Sequence, residues 1–480
     1  MSKVREATSK DSPPSAVEKP PAFVPRPSRA ELIARGKALR KQCPRSCHAV
    51  WEPPPDRPDP LRLIVESDEG RLPELIPLRH GRMLPSPFTF YRGTARNMAV
   101  DLAGTPTTGL RVQACGDAHL GNFRCFATPE RQVIFDIHDL DETLPAPWEW
   151  DIKRLAASFV LASRVNGLRD KIARQAVLTC VRSYREHMAE FSTMRALDVW
   201  YARFEAEELV ADIQDPNMHK LTLKGLTKAK NVCMVEDIFP KLADTSGELP
   251  AIKDDPPHIY HHLKRGEEEF YAAIADALAH YRESLPDERR VLLDRYRVKD
   301  LAIKVVGVGS VGTVCCVALL MAGEKDPLFL QVKEARSSVL EPFAGKSVYD
   351  NHGRRVVKGH RLMQSASDIF LGWTQGPSGR HFYVRQLRDM KMKFPIEKFK
   401  AAEMSYFARW CGGTLARAHA RSGEPVAIGG YLGKADTFDQ AIAAFAVAYA
   451  DQVERDYEAF RRAVREGKLE ARSDNEDRHS

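Results

Sequence analysis

The chain has 480 residues, 43% of them apolar, and a net charge of +7. That length suits two or three domains or a single two-lobed enzyme, and a mean hydropathy of −0.38 marks a soluble globular sequence. The apolar run 441–450 is far too short to cross a bilayer, and the positive charge is too diffuse to form a nucleic-acid-binding face.

Residues 1–28 carry six prolines and no apolar signal core, so they are expected to form a disordered leader, with the cytoplasm as the compartment. Nine cysteines without a C-x-x-C pair read as free thiols, not as zinc ligands or a disulfide framework. A helix is expected from Ser28, a good N-cap with Glu31 three residues on. The basic stretch 35–45 reads as its solvated face, and 53–60 (PPPDRPDP) as a stiff linker. Ser86-Pro87 opens a further helix that runs to Gly104-Thr105-Pro106. LRVQACGD (110–117) then reads as a strand, HLGNF as a loop, QVIFDI (132–137) as a strand and 148–164 as an amphipathic helix.

Residues 168–290 read as mostly helical, with long segments at 168–208 and 265–284. From 300 to 335 the period switches to strands: AIKVVGVGS, GTVCCVALLM and, after the turn AGEKDP, LFLQVKE. Helical pattern returns at 353–366, a strand at 381–387, helices at 403–421 and 434–466, and a frayed tail from 472. The division that follows is 1–28 leader, 29–80 helix and linker, 81–299 acidic loop and helices, 300–390 glycine-loop sheet, 391–471 returning helices, and 472–480 tail.

Two motifs carry chemistry. In the first, Asp117 and Asn122 occupy one loop, and the next strand leads into the run Asp136-Ile137-His138-Asp139-Leu140-Asp141-Glu142. Metal-assisted phosphoryl transfer needs this set: one carboxylate to orient an acceptor hydroxyl, and an amide with a second carboxylate to hold Mg²⁺. Asp151, in the first turn of the following helix, is either a helix-start acid or a brace for that loop. The second motif is Gly307-Val308-Gly309-Ser310-Val311-Gly312. A dinucleotide-binding turn would run into a helix with an acid about twenty residues on, a distance that Glu334 meets. The segment after Gly312 is instead rich in β-branched residues and reads as a strand. Strand–glycine turn–strand, followed by a strand ending in Lys333, is the arrangement that closes over ATP phosphates.

CGDAHLGN, VIFDIHDLDE and PWEWDIKRLAAS together resemble the HGDLHxGN, IDxxD and W/Y-D-L-A-R stretches of aminoglycoside phosphotransferases and choline kinases. From about Ser28 to Gly467 the chain is also similar to the bacterial family catalogued as domain of unknown function 2252, through segments such as RMLPSPFTFYRG, KVVGVGSVGT and LARAHARSG. These resemblances imply an α+β, bilobal, protein-kinase-like fold with a small antiparallel-sheet lobe and a larger helical lobe. Because the glycine turn follows the acidic loop, the fold is expected to be circularly permuted. They imply Asp117 as the catalytic aspartate, Asn122 with Asp136 or Asp139 as metal ligands, and Gly307, Gly309, Gly312 and Lys333 as the nucleotide grip. Spacing from Asn122 favours Asp136, whereas the string Asp139-Leu140-Asp141 favours Asp139. Cys115 replaces the histidine of the resembled motif. The helix at 353–366 lacks the glutamate that kinases pair with the strand lysine, leaving Glu334 and Glu341 as candidates. The expected activity is ATP- and Mg²⁺-dependent phosphotransfer to a small-molecule or protein acceptor; the alternatives are a nucleotide-binding pseudokinase and a kinase-like nucleotidyltransferase.

Overall fold

The computed structural model describes residues 26–474 apart from 233, 248, 262–267, 377 and 388–389. Most of the expected leader and the end of the expected tail lie outside the described residues. Arg472 and Asp474 lie inside them: the Arg472 amide donates to Pro77 O, and Asp474 pairs with Arg82 at 2.7 Å.

Helix α1 (Arg29–Gln42) starts at the expected capping box, in which Ser28 and Glu31 exchange side-chain-to-amide hydrogen bonds. The basic stretch behind it is not all solvated. Arg40 and Arg45 donate to the carbonyls of Gly430, Tyr431 and Leu432, so they cap the end of a distant helix whose last carbonyls lack partners of their own. The linker is pinned by Arg57, clamped between Asp101 and Asp456, and supplies Asp59 as the N-cap of α2 (Pro60–Asp68). α3 (Ile76–Met83), α4 (Pro87–Gly93) and α5 (Ala95–Ala103) follow. The single helix expected after Ser86 breaks at Thr94. Gly93 gives its carbonyl to Arg79 (2.8 Å) and packs so tightly on Met83 that a Cβ there would meet the sulfur at 2.7 Å.

Strand β1 (Arg111–Ala114) pairs with β4 (Leu144–Pro147), and β2 (Phe123–Ala127) with β3 (Val133–Ile137), both antiparallel. The sequence hides β4 because Pro145 and Pro147 cannot donate to a ladder, which confines it to an edge. These two hairpin-like pairs present the loop 115–122 and the acidic run 136–142. α6 (Trp148–Val165) and α7 (Asp170–Phe191) come next; the helix expected over 168–208 ends at Phe191 and is continued by α8 (Ala196–Tyr201) and α9 (Ala206–Ala211). After α10 (Pro216–Lys230) and α11 (Phe239–Leu242), β5 (Ala243–Asp244) pairs with β6 (Ala251–Ile252).

The remaining strands are β7 (Ile259–Tyr260), β8 (Arg297–Lys304), β9 (Cys315–Met321), β10 (Pro327–Glu334), β11 (Gly372–Gln375) and β12 (His381–Gln386). They form one antiparallel sheet of order β11-β12-β10-β9-β8-β7. α12 (Glu268–Ser284) and α13 (Asp287–Leu293) precede β8, and α14 (Glu341–Ala344) and α15 (His352–Met363) join β10 to β11. α16 (Ala401–Ser422), α17 (Pro425–Leu432) and α18 (Thr437–Arg465) close the chain. The architecture is thus mixed α+β with antiparallel sheets. Among the described residues no helix is long and apolar enough to cross a membrane.

One core runs through α6, α7, α16 and α18, where Trp148 stacks on Tyr184 with ring centroids 5.7 Å apart. The sheet has cores on both faces, set by strand alternation. Val317, Leu319 and Phe329 pack with Ile238 and Leu242, while Leu320, Leu328 and Leu330 pack with Tyr281 and Leu285. α12 therefore packs on the sheet. By the same alternation, Gln331 and Lys333 share a face with their cross-strand partners Arg385 and Tyr383. That face turns toward the acidic run.

Candidate functional site

The loop after β1 needs a glycine at 116. Its φ is +79°, and a Cβ would lie 2.5 Å from Glu142 O. Behind it, buried Asp151 accepts from the amides of Cys115 (2.6 Å) and Gly116 (2.9 Å). Its Oδ2 also meets His419 Nε2 at 3.1 Å, and the other nitrogen of that ring bonds Tyr184 Oη at 2.9 Å. Asp151 is the brace of the loop, and it makes no cap to its own helix. Asp151→Ala should lower unfolding free energy by about 1–3 kcal/mol for each buried amide it strands. Asp151→Asn, which keeps one acceptor, should lose less; urea midpoints for the two variants check this ordering.

Asp117 Oδ1 accepts from Arg154 Nε at 2.6 Å. Burial pushes its carboxyl above the ordinary carboxylate range, against the pull of Arg154 and Arg92. Asn122 spends its Nδ2 on Asp117 O (2.8 Å), which leaves the amide oxygen for a cation. Burial, with the nearby Arg92 charge, holds His119 well below its usual range.

The two candidate metal aspartates part company here. Asp136 is fully buried and accepts from Arg417 (2.5 Å) and from both the amide and hydroxyl of Ser365 (2.8 Å each). Both of its oxygens are engaged by these donors, and it does not line the cleft. Asp139 does. It accepts from Arg385 at 2.9 Å and faces His138 Nδ1 at 3.1 Å. Burial alone would raise its carboxyl, but His138 and Arg385 outweigh that and hold it well below the usual range. Asp141, also in the cleft, was visible in the sequence only as the second acid of the D-L-D string. It is ion-paired with Lys333 and accepts from Tyr383 Oη at 2.7 Å.

Between β8 and β9 the chain makes its glycine turn. Gly307 and Gly312 have φ of +71° and +85°, and a Cβ on Gly309 would lie 2.9 Å from Arg92 O. Arg82 donates to Gly307 O (3.0 Å) and Arg71 to Val311 O (2.5 Å), so α3 and the loop before it hold the turn in place. Gly307 and Gly309 line the cleft. Gly312 does not: it lies against Arg71, its carbonyl accepting from the Leu72 amide at 2.7 Å. A strand, not a helix, follows Gly312 in a wholly antiparallel sheet, which removes the dinucleotide-turn geometry.

Neither glutamate proposed for Lys333 holds it. Glu334 accepts from the Val314 amide and Arg380, and Glu341 from the Ser338 amide; Asp141 takes the lysine. Burial would lower the Lys333 pKa, but Asp141 reverses this and raises it, so the ammonium stays charged. Helix α15 offers Arg355 where a glutamate was sought, and Arg355 bonds the carbonyls of Thr143 and Asp141.

Asp117, Asn122, Asp139, Asp141, Gly307, Gly309 and Lys333 thus line one cleft of about 440 Å³, although 190 positions separate Asp117 from Gly307. A family model described as an uncharacterized protein conserved in bacteria (DUF2252) matches residues 71–463. The chain belongs to the DUF2252 family. All seven cleft residues fall inside the DUF2252 match. No curated protein and no solved structure matches the chain. Outside the DUF2252 match, Cys43, Cys47 and His48 bring potential ligand atoms within 4.8 Å of one another, a grouping that C-x₃-C-H spacing did not suggest. His48 Nε2 and the Cys43 carbonyl are bonded to Tyr431 Oη, which ties the group into the packing of α1 on α17.

Proposed function

We propose that this protein is an ATP- and Mg²⁺-dependent phosphotransferase of protein-kinase-like, circularly permuted fold. The observation that carries the reading is the single cleft shared by the glycine turn, Lys333 and the Asp117–Asn122–Asp139 set. The donor set fits the group: an acidic and amide oxygen cluster for a hard cation, and a buried lysine and a glycine turn for phosphates. Bound Mg²⁺·ATP would supply the transferable phosphoryl group. Asn122, Asp139 and, once released from Lys333, Asp141 would hold the metal. Lys333 would neutralise phosphate charge, and Asp117 would orient the acceptor hydroxyl and take its proton.

Topology supports the kinase-like reading. From the glycine hairpin, β8 and β9 are followed by β10, the third strand, which carries the lysine; a helix, α15, then leads to two more strands in the order β8-β9-β10-β12-β11. The permutation has support at its joint. Ser422 Oγ, at the end of α16, accepts from the Gln113 amide of β1 at 3.1 Å, so the helix that would precede the acidic loop in the unpermuted order abuts the strand that leads into that loop.

ATP with Mg²⁺ at about a hundred times Kd should stabilise the protein by roughly 2.7 kcal/mol. A melting-temperature shift with NADH and none with ATP would overturn the reading. A second reading, a nucleotide-binding module without turnover, is favoured by two observations: Lys333 is latched to Asp141, and α15 has an arginine in place of a glutamate. ATP labelled at the γ- or α-phosphate separates phosphoryl from nucleotidyl transfer, and binding without transfer to any acceptor favours the module.

A further inference from the structure

Many of the cations in or beside the cleft are already spent. Arg79 bonds Asp68 and Gly93 O, Arg96 bonds Glu66, Arg154 bonds Asp117, Arg385 bonds Asp139 and Lys333 bonds Asp141. Arg92 is different. Its Nε is shut off from solvent with no hydrogen-bond partner among the described residues. Leaving a buried charged donor unsatisfied is costly, and such groups in native folds call for an explanation.

Its position supplies one. The Nε lies 3.7 Å from where a Cβ on Gly121 would sit, beside the acidic loop, while the Arg92 carbonyl lies directly under the Gly309 turn. The carboxylates it feels most are Asp117 and Asp139, and both are already engaged by Arg154 and Arg385. Arg92 lies in the last turn of α4 beside Gly93, which is locked by Arg79 and Met83, so its backbone is fixed at the seam between the two halves of the cleft. A planar guanidinium in that place can grip a tetrahedral oxyanion through two N–H groups at once, which a lysine cannot.

We infer that Arg92 binds the terminal phosphate of the nucleotide, the group to be transferred, as an arginine finger supplied from within the chain. This rests on the phosphotransfer reading, and the test is built to separate the two. Titration calorimetry on the full chain with Mg²⁺ would measure binding of ATP, of ADP, and of ADP with aluminium fluoride, a mimic of the phosphoryl group in flight. Wild type should bind ATP and the mimic more tightly than ADP. Arg92→Ala should lose at least about ten-fold of that preference, as expected for a charge-assisted pair of bonds, with ADP affinity within about two-fold of wild type. Arg92→Gln, which keeps two donors without the charge, should fall between them and serves if the alanine variant does not fold. If wild type binds none of the three, the phosphotransfer reading fails and takes the inference with it. If wild type prefers ATP and Arg92→Ala and Arg92→Gln keep that preference in full, the inference fails and the phosphotransfer reading stands.

Discussion

Asp136→Ala should destabilise the fold by about 3–5 kcal/mol and leave nucleotide affinity per folded molecule unchanged. The reason is Arg417. Its guanidinium is fully buried, its Nε and Nη1 have no partner among the described residues, and Asp136 accepts from its Nη2 at 2.5 Å. Removing the carboxylate strands a whole charge in the core of α16 and frees the Ser365 amide and hydroxyl as well. Replacing both members of the pair with leucine should cost much less than the single change, because no charge is then left behind. Asp139→Ala should do the opposite: modest loss of stability, and loss of the Mg²⁺ dependence of ATP binding. Urea unfolding and calorimetry on the same samples check both halves. A stable Asp136→Ala protein with weakened Mg²⁺ binding would return Asp136 to the metal.

That pair also shows what the sequence could and could not convey. Local rules worked where local forces decide. The Ser28–Glu31 capping box, the β-branched run after Gly312 and the lysine at the end of β10 could each be read within a dozen residues, and each is where it was expected. Asp136 and Asp139 could not be told apart, because what separates them is an arginine 281 positions away. The Lys333 partner was sought in a neighbouring glutamate, whereas the sheet face aims the lysine at Asp141, 192 positions back. Asp151 fitted a helix-start acid as well as a brace until the Cys115 and Gly116 amides were seen to point at it. Arg92 had no sequence signal, since the role inferred for it comes from an Nε with no partner among the described residues. Proline concealed β4, and a tertiary bond from Arg79 to Gly93 O cut a helix that its own residues would have continued.

Asp117→Asn should lower turnover by about 10²–10⁴-fold, the usual worth of a positioned general base, with ATP affinity nearly intact. On the phosphotransfer reading Asp117 serves the acceptor, while Lys333 and the glycine turn serve the nucleotide. The amide is nearly isosteric, so its oxygen can still accept from Arg154, and Arg154 keeps its bond to Tyr91 O (3.1 Å) and its place 4.3 Å over the Tyr91 ring. The variant should therefore fold. What it loses is the ability to take a proton. Because burial raises the Asp117 carboxyl, the wild-type protein should lose kcat/KM on acidification at a higher pH than an exposed aspartate would impose. The sign follows from the role: the ionised form is the active one, so activity is full above that pKa and falls as pH drops through it. Asp117→Asn should show a low, flat profile with no acid limb. Release or transfer of labelled γ-phosphate across pH, with water counted among the acceptors, measures both. Wild-type turnover in Asp117→Asn would leave Asp117 as no more than the counter-ion of Arg154.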